Sequence, residues 1–241
     1  MRLESREDIK RRIEEYFDRE GYRKRDIEEV YEFLEEKKIE DIDDYDSIAE
    51  IYHIIIAPKR EFEVERVCDI YSLILATKPK VVVDGGCGTG LDICFFATQL
   101  PDTLFIGYDK SENMLAVVEV HKKRAGANNL EFIHLAHENI AQLPEKPELL
   151  YTKDSLDLWS AQEFIENFYE VLADDGMYIN TGPGFYRDVV YEPSMFEYMN
   201  NLTLSAGFKT FEFFDGLHYK VYEDGELNYP WIAVYKKEQG K

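Results

Sequence analysis

The sequence predicts an α/β fold: a seven-stranded, mostly parallel sheet with helices on both faces and an N-terminal helical extension. Three observations predict it. After Lys80, short apolar runs alternate with segments of helical periodicity, and five such repeats specify a parallel sheet covered on both sides. Before Lys80 the apolar spacing is helical. The last two apolar runs have no helical pattern between them, only a stretch carrying the turn signal Asp224-Gly225, which predicts an antiparallel final pair.

The extension, residues 1–78, opens with two amphipathic helices. Ile9, Ile13, Tyr16 and Phe17 share one face, with Ser5 and Asp8 as a capping pair. Gly21 breaks the pattern, and Ile27, Val30, Tyr31 and Leu34 mark a second inward face. The acidic stretch from Glu40 to Asp46 reads as a linker. A third helix after Ser47 carries Ile48, Ile51, Tyr52 and Ile55 and ends at Pro58. A fourth, Glu61 to Thr77, turns Val64, Val67, Cys68 and Tyr71 inward.

Residues 79–241 form the predicted core. Its strands are Val81–Asp84, Thr103–Asp109, Leu130–Leu135, Glu148–Lys153, Met177–Thr181, Thr210–Phe214 and Trp231–Lys236. Its helices are Leu91–Gln99, Glu112–Ala125, Ala161–Leu172 and Ser194–Ala206.

Composition narrows the function. The 241 residues are 45% hydrophobic, enough for a sizeable core. Acidic residues number 49 against 28 basic, a formal net charge of −21. Phosphate backbones reward clustered cations, so this balance argues against nucleic-acid and anionic-membrane partners. Lys10-Arg11-Arg12, with Arg19, Arg23, Lys24 and Arg25, is interspersed with acids and reads as a solvated helix face. Three cysteines without a CxxC pair argue against a disulfide framework or a zinc site, and no metal site is expected. The chain opens without a signal peptide, and its apolar runs fall short of the ~20 residues that span a bilayer. A cytoplasmic protein is the expectation, with its oligomeric state left open.

The segment Val81-Val82-Val83-Asp84-Gly85-Gly86-Cys87-Gly88-Thr89-Gly90 carries the function. It reads as a buried strand, an acid, then a glycine-rich turn into a helix. Glycines let a ligand approach the backbone at the carboxyl end of a parallel strand, and the helix-start N–H groups suit polar ligand atoms. Asp84 can face a cationic group or hold the loop by accepting its N–H bonds. The next strand ends at Asp109, nineteen residues beyond Gly90, where a carboxylate suits the paired hydroxyls of a ribose. A dinucleotide loop places glycines as G-x-G-x-x-G, whereas here they alternate at Gly86, Gly88 and Gly90 and the sixth position is Leu91. No Gly-Lys-Ser/Thr follows, so a P-loop is excluded.

That loop, with Asp84 before it, resembles the cofactor loop of Rossmann-like class I methyltransferases, which use S-adenosylmethionine (SAM) and release S-adenosylhomocysteine. The resemblance covers roughly Tyr45 to Lys236. Asp46-Ser47-Ile48-Ala49-Glu50-Ile51-Tyr52 is similar to the segment before the core in small-molecule methyltransferases, which implies Tyr52 near SAM; packing on its apolar helix face is an equal reading. Lys110-Ser111-Glu112-Asn113-Met114 resembles the second-strand exit, which implies Lys110 and Met114 near the adenosine. Asp154-Ser155-Leu156-Asp157-Leu158 resembles the fourth-strand exit, facing SAM and substrate. Leu172-Ala173-Asp174-Asp175-Gly176-Met177 and Ala206-Gly207-Phe208 resemble the turns before strands five and six. The family commonly places Gly-Asp after the third strand; here Leu135-Ala136-His137-Glu138-Asn139 stands there, so His137, Glu138 or a backbone group would take the adenine contact.

The acid–base candidates are His53, His134, His137, His218 and Asp154, of which His137, Asp154 and His218 stand nearest the expected site. Asn-Pro-Pro-Tyr is absent at the fourth strand, as is a Pro-Cys nucleophile. Thr181-Gly182-Pro183-Gly184-Phe185-Tyr186-Arg187, with Tyr191, Phe196, Tyr198, Tyr219, Tyr222 and Tyr229, can wall an aromatic pocket. The resemblance implies in-line methyl transfer to a small-molecule acceptor. A protein methyltransferase and a SAM-binding module without catalysis are the alternatives; RNA methylation and a dinucleotide oxidoreductase rank behind them.

Overall fold

Residues 4–39, 44–156, 160–182, 193–214 and 231–237 are described by the computed structural model. The first helix, α1 (Arg6–Arg19), starts at a reciprocal cap in which the Asp8 N–H donates to Ser5 Oγ at 3.2 Å and Ser5 Oγ donates to the Asp8 carboxylate at 2.8 Å. Ile9, Ile13, Tyr16 and Phe17 are buried, as their spacing requires. In α2 (Ile27–Lys37) Val30 and Leu34 are buried, but Tyr31 is 44% exposed, so the inward stripe is narrower than the sequence predicts.

The third predicted helix is broken. Two four-residue helices, α3 (Tyr45–Ile48) and α4 (Tyr52–Ile55), flank a 3₁₀ turn over Ala49–Ile51, and a further 3₁₀ turn spans Ala57–Lys59. The tighter winding turns Ile48 and Ala49 inward, onto Met114. Asp46, at the end of the presumed linker, lies within α3. The long helix α5 (Arg60–Thr77) is buried on nearly every side, charged residues included, because α1 covers the flank that its sequence leaves polar.

The core elements follow in the predicted order: β1 (Val81–Gly85), α6 (Leu91–Gln99), β2 (Leu104–Asp109), α7 (Glu112–Ala125), β3 (Leu130–His134), β4 (Leu149–Lys153), α8 (Ala161–Val171), β5 (Met177–Gly182), α9 (Pro193–Ser205), β6 (Lys209–Phe214) and β7 (Trp231–Lys236). α7 stops where Gly126 takes φ 68° and its N–H donates to the Lys122 carbonyl at 2.9 Å, after a last turn rich in Lys and Arg.

The sheet order is β3-β2-β1-β4-β5-β7-β6. β7 runs antiparallel to both neighbours and the other pairings are parallel. Strand order reverses between β1 and β4, and a crevice at the carboxyl ends of those strands is where open α/β sheets bind ligands. Alternate residues serve opposite faces. Val82, Phe105, Tyr151 and Ile179 meet α1, α5 and α6, while Val83, Ile106, Leu150 and Tyr178 meet α8 and α9. Ile9, Ile13, Tyr16 and Phe17 belong to the same apolar cluster as the strands.

That continuity predicts how the extension unfolds. Phe17 is fully buried against Tyr22, with ring centroids 5.0 Å apart. Phe17→Ala should cost about 3–5 kcal/mol and lower a single cooperative denaturant transition read by both far-ultraviolet circular dichroism and tryptophan fluorescence. A separate early transition confined to the amino-terminal helices would be the contrary result.

Candidate functional site

The β1–α6 turn reverses direction over residues 86–90. Gly86, Gly88 and Gly90 take φ 73°, 53° and 63°, a left-handed backbone that side chains disfavour. Two of the three are also packed shut. A Cβ on Gly86 would lie 2.4 Å from Ser155 Cβ, and one on Gly90 would lie 2.3 Å from Val118 Cγ2. Above Gly88 a Cβ would meet nothing within 4 Å, so the middle of the loop faces open space. The loop is braced from behind: the Gly86 and Cys87 N–H groups donate to the Tyr108 carbonyl, and His121 Nδ1 donates to the Thr89 carbonyl at 2.9 Å.

Asp84, at the end of β1, is buried beside Tyr151, and burial lifts its carboxyl to about 8. The loop N–H bonds go elsewhere. At the end of β2, Asp109 accepts the Gly88 N–H on one carboxylate oxygen at 2.8 Å and the Ser111 N–H on the other at 2.9 Å.

The segment before the core closes over this edge. Ser111, the cap of α7, donates to the Asp46 carboxylate, and Asn113 donates to the Asp46 carbonyl at 3.0 Å. Met114 is buried against Ile48 and Ala49. Tyr52 packs near Tyr45, with ring centroids 6.1 Å apart, and burial raises its hydroxyl well above the ordinary tyrosine value. The Lys110 side chain is exposed, while its carbonyl accepts from His134 Nε2 at 2.8 Å. Glu138 is exposed within a 3₁₀ turn over His137–Gln142.

His137 is engaged at both ring nitrogens. Nε2 donates to the Ser155 carbonyl at 3.1 Å, so Nδ1 of the neutral ring accepts from the Tyr108 hydroxyl at 2.8 Å. Burial lowers its pKa, in keeping with that neutral form, and Phe164 and Phe168 pack against the ring. Ser155 Oγ in turn donates to the Gly85 carbonyl at 2.6 Å. His137 thus ties the β4 exit to the β1 and β2 ends.

Asp154 takes a left-handed φ of 56° and is gripped by Arg66, whose two terminal nitrogens reach its oxygens at 2.8 and 2.6 Å. Arg66, only 1% exposed, also pairs with Glu63. Glu63 lies 2.6 Å from Lys153 Nζ, and Lys153 lies 2.6 Å from Asp92. The result is a buried chain, Asp92–Lys153–Glu63–Arg66–Asp154, joining α6, β4 and α5. Burial opposes the charges of Glu63, Arg66, Asp92 and Lys153, but Arg66 and Lys153 hold Glu63 below the usual carboxylate range, and Asp92 and Glu63 hold Lys153 above the usual lysine value.

The structure therefore gathers Tyr52, Asp84, Gly86, Gly88, Gly90, Asp109, Met114, His137 and Asp154 around the carboxyl ends of β1, β2 and β4, with exposed Lys110 and Glu138 nearby. His218 and the stretch from Pro183 to Tyr191, with Tyr219, Tyr222 and Tyr229, lie outside the described residues. His134 sits on the surface 3.4 Å from Glu112, and burial lowers the pKa of His53 in α4. The charged residues Glu63, Arg66, Asp92 and Lys153 escape a sequence reading. Their one signal is the i,i+3 spacing of Glu63 and Arg66. The cysteines are free, and burial raises all three thiols, which disfavours a nucleophilic thiolate. Among the described residues no group of three or more His, Cys, Asp or Glu side chains can hold a metal ion, and no helix is long and apolar enough to cross a membrane.

Comparison with known proteins agrees with this geometry. Residues 82–176 match the family model of a methyltransferase domain. A carboxy-S-adenosyl-L-methionine synthase from Campylobacter hominis is 26% identical over 152 residues, which span 60% of this chain and 63% of that protein's length. Among solved structures, the N-methyltransferase NodS from Bradyrhizobium japonicum superposes with a TM-score of 0.58 at 14% identity, covering 74% of this chain and 98% of that one. Magnesium protoporphyrin IX methyltransferase from Synechocystis, solved with bound S-adenosylhomocysteine, gives 0.55 at 16% identity over 72% and 83%. Residues 82–176 are thus similar to a methyltransferase domain, and the sheet and helices share the fold of these solved methyltransferases.

Two predictions follow from the loop. Gly86→Ala should destabilise the protein more than Gly88→Ala in chemical denaturation. Both pay left-handed strain of about 1–2 kcal/mol, but only the first drives a methyl group into Ser155; equal losses would refute the packing. For Asp84 the folded-state pKa is raised from 3.8 to about 8, so the cost of ionising it accumulates as pH climbs between those values. Asp84→Asn should therefore raise the melting temperature of the ligand-free protein above pH 8, with the gain shrinking as pH falls and vanishing near pH 3.8. A gain independent of pH would contradict the shift.

Proposed function

We propose that this chain, whose residues 82–176 constitute a SAM-dependent methyltransferase domain, is an enzyme that methylates a small-molecule acceptor. The observation that carries the reading is the left-handed glycine turn at the strand-order reversal, open above Gly88 and flanked by the Asp109 carboxylate.

Each residue then has a role. The turn from Gly86 to Gly90 supports the amino-acid end of SAM. Asp109 accepts two backbone N–H bonds, yet a carboxylate has about four lone-pair sites, which leaves capacity for both ribose hydroxyls. Met114 and Tyr52 wall the adenosine side, with Lys110, His137 and Glu138 near the adenine. Asp84 faces the cationic end of the cofactor, where a bound ammonium or sulfonium would favour its ionised form. SAM supplies an activated methyl group: the acceptor–carbon bond forms as the carbon–sulfur bond breaks, and the electron pair leaves with sulfur as S-adenosylhomocysteine. With Arg66 on Asp154 and both nitrogens of His137 engaged, these side chains serve positioning rather than proton removal. His218 stays a candidate for the base.

The net charge of −21 fits a cytoplasmic enzyme that avoids nucleic acid. It also favours a basic protein acceptor as the second reading. Calorimetry should show binding of SAM and S-adenosylhomocysteine and none of NAD. Asp109→Ala should weaken SAM about 100-fold, the worth of two hydrogen bonds to a charged group; unchanged affinity would remove the ribose assignment. Labelled SAM offered with metabolite, RNA and protein pools then reads the acceptor class, and transfer to none of them would favour a binding module without catalysis.

A further inference from the structure

We propose that Arg66 is a positioning residue for the cofactor site, acting through Asp154 to hold the β4 exit against the glycine loop. This role rests on the methyltransferase reading above.

Three successive residues leave β4, and each is tied to a different part of the fold. Lys153 pairs with Asp92 at the start of α6 and with Glu63 on α5. Asp154 is bound through both oxygens by Arg66. Ser155 donates to the Gly85 carbonyl and accepts from His137. The middle tie decides the geometry, because Asp154 is the residue with the unfavourable backbone, φ 56°. Such a conformation persists where surrounding contacts over-determine it. A bidentate guanidinium fixes a carboxylate in distance and in plane together, which a single lysine contact would not do.

The consequence passes to the next residue. Ser155 Cβ occupies the space that a side chain on Gly86 would fill, so any shift at Asp154 moves Ser155 off the loop or into it. Arg66 lies on α5, outside the matched domain, and is 1% exposed, so it does not serve as a solvated surface charge. Glu63 already pairs with the buried guanidinium, so the second, bidentate link to Asp154 does more than balance its charge. Arg66 thus carries the position of the amino-terminal helices into the turn on which the cofactor rests.

Calorimetric SAM titrations of the full chain test this, run far below the melting temperature of every variant. Asp154→Gly removes the carboxylate while accepting the backbone angle freely, so it keeps the fold. It should weaken SAM about tenfold, the worth of one charge-assisted hydrogen-bonded contact. Arg66→Lys should weaken SAM to a similar degree, and Asp154→Asn, which still accepts one N–H and tolerates the left-handed backbone, should recover most of the affinity. The Arg66→Lys/Asp154→Gly double variant should bind no worse than the weaker single variant, because both changes break one link. Wild-type affinity in Asp154→Gly, or losses that multiply in the double variant, would overturn the proposal. A loss confined to Arg66→Lys would mean that the guanidinium meets the cofactor directly, which also overturns it. If the wild-type chain binds neither SAM nor S-adenosylhomocysteine, the methyltransferase reading fails first and this role with it.

Discussion

Between the end of β1 at Gly85 and the start of α6 at Leu91, the chain must reverse while leaving its N–H groups accessible. Left-handed backbone at three alternate positions achieves this, and glycine pays least for it. Everything else near the crevice accommodates that turn. Tyr108 accepts two of its N–H bonds, Asp109 a third, and His121 holds its Thr89 carbonyl. Ser155 and Val118 fill the volumes that side chains on Gly86 and Gly90 would need. The loop is a shape imposed by neighbours on β2, on α7 and at the β4 exit, and above Gly88 it faces open space.

The buried ion chain addresses a different problem, the joining of the amino-terminal helices to the sheet. Apolar contact alone seats α1 and α5, but it has no directional preference. The run Asp92–Lys153–Glu63–Arg66–Asp154 fixes the relative placement of α5, α6 and β4 with paired geometry. Such a chain is weak evidence for added stability, since desolvation offsets much of the attraction. Its value lies in register: α5 can slide along the sheet only by breaking several pairs at once. Outside the crevice, Arg6 with Asp69 and Glu65, and Lys10 with Glu65, hold α1 to α5 in a similar way, so part of the basic helix face is engaged with the body of the protein and not simply solvated.

What was legible in the sequence follows from periodicity. All seven strands and the four core helices are read to within a residue or so of their ends, because each has a strong period and clear glycine or proline punctuation. The glycine loop and Asp109 are legible because that chemistry needs particular residue types at fixed spacing. The stretch after Ser47 up to Pro58 is read as one helix because alternating α and 3₁₀ turns leave nearly the same apolar spacing as a regular helix. Glu63, Arg66, Asp92 and Lys153 are missed for a deeper reason. A charge on an amphipathic helix reads as solvent-facing, and only tertiary packing of α1 over α5 reverses that. The same holds for His137 and Asp154, whose sequence positions mark the site while their partners, Tyr108, Ser155 and Arg66, are set by the fold.

The electrostatics of surface and crevice act at different ranges. A net charge of −21 produces a field that draws cations from solution, and salt screens it beyond about 8 Å at physiological strength. Inside the crevice the ion chain is largely compensated, and Asp84 is held near neutrality by burial rather than by a counter-charge. Under the function proposed above, a sulfonium nucleoside would be attracted from a distance by the whole protein and seated by local geometry. Beside Asp84 it would supply the positive charge that the buried carboxyl lacks, so that binding and ionisation of that group would favour one another. The same burial that makes Asp84 costly to ionise in the empty protein makes its attraction to a bound cation strong, since both arise from the exclusion of water at the end of β1.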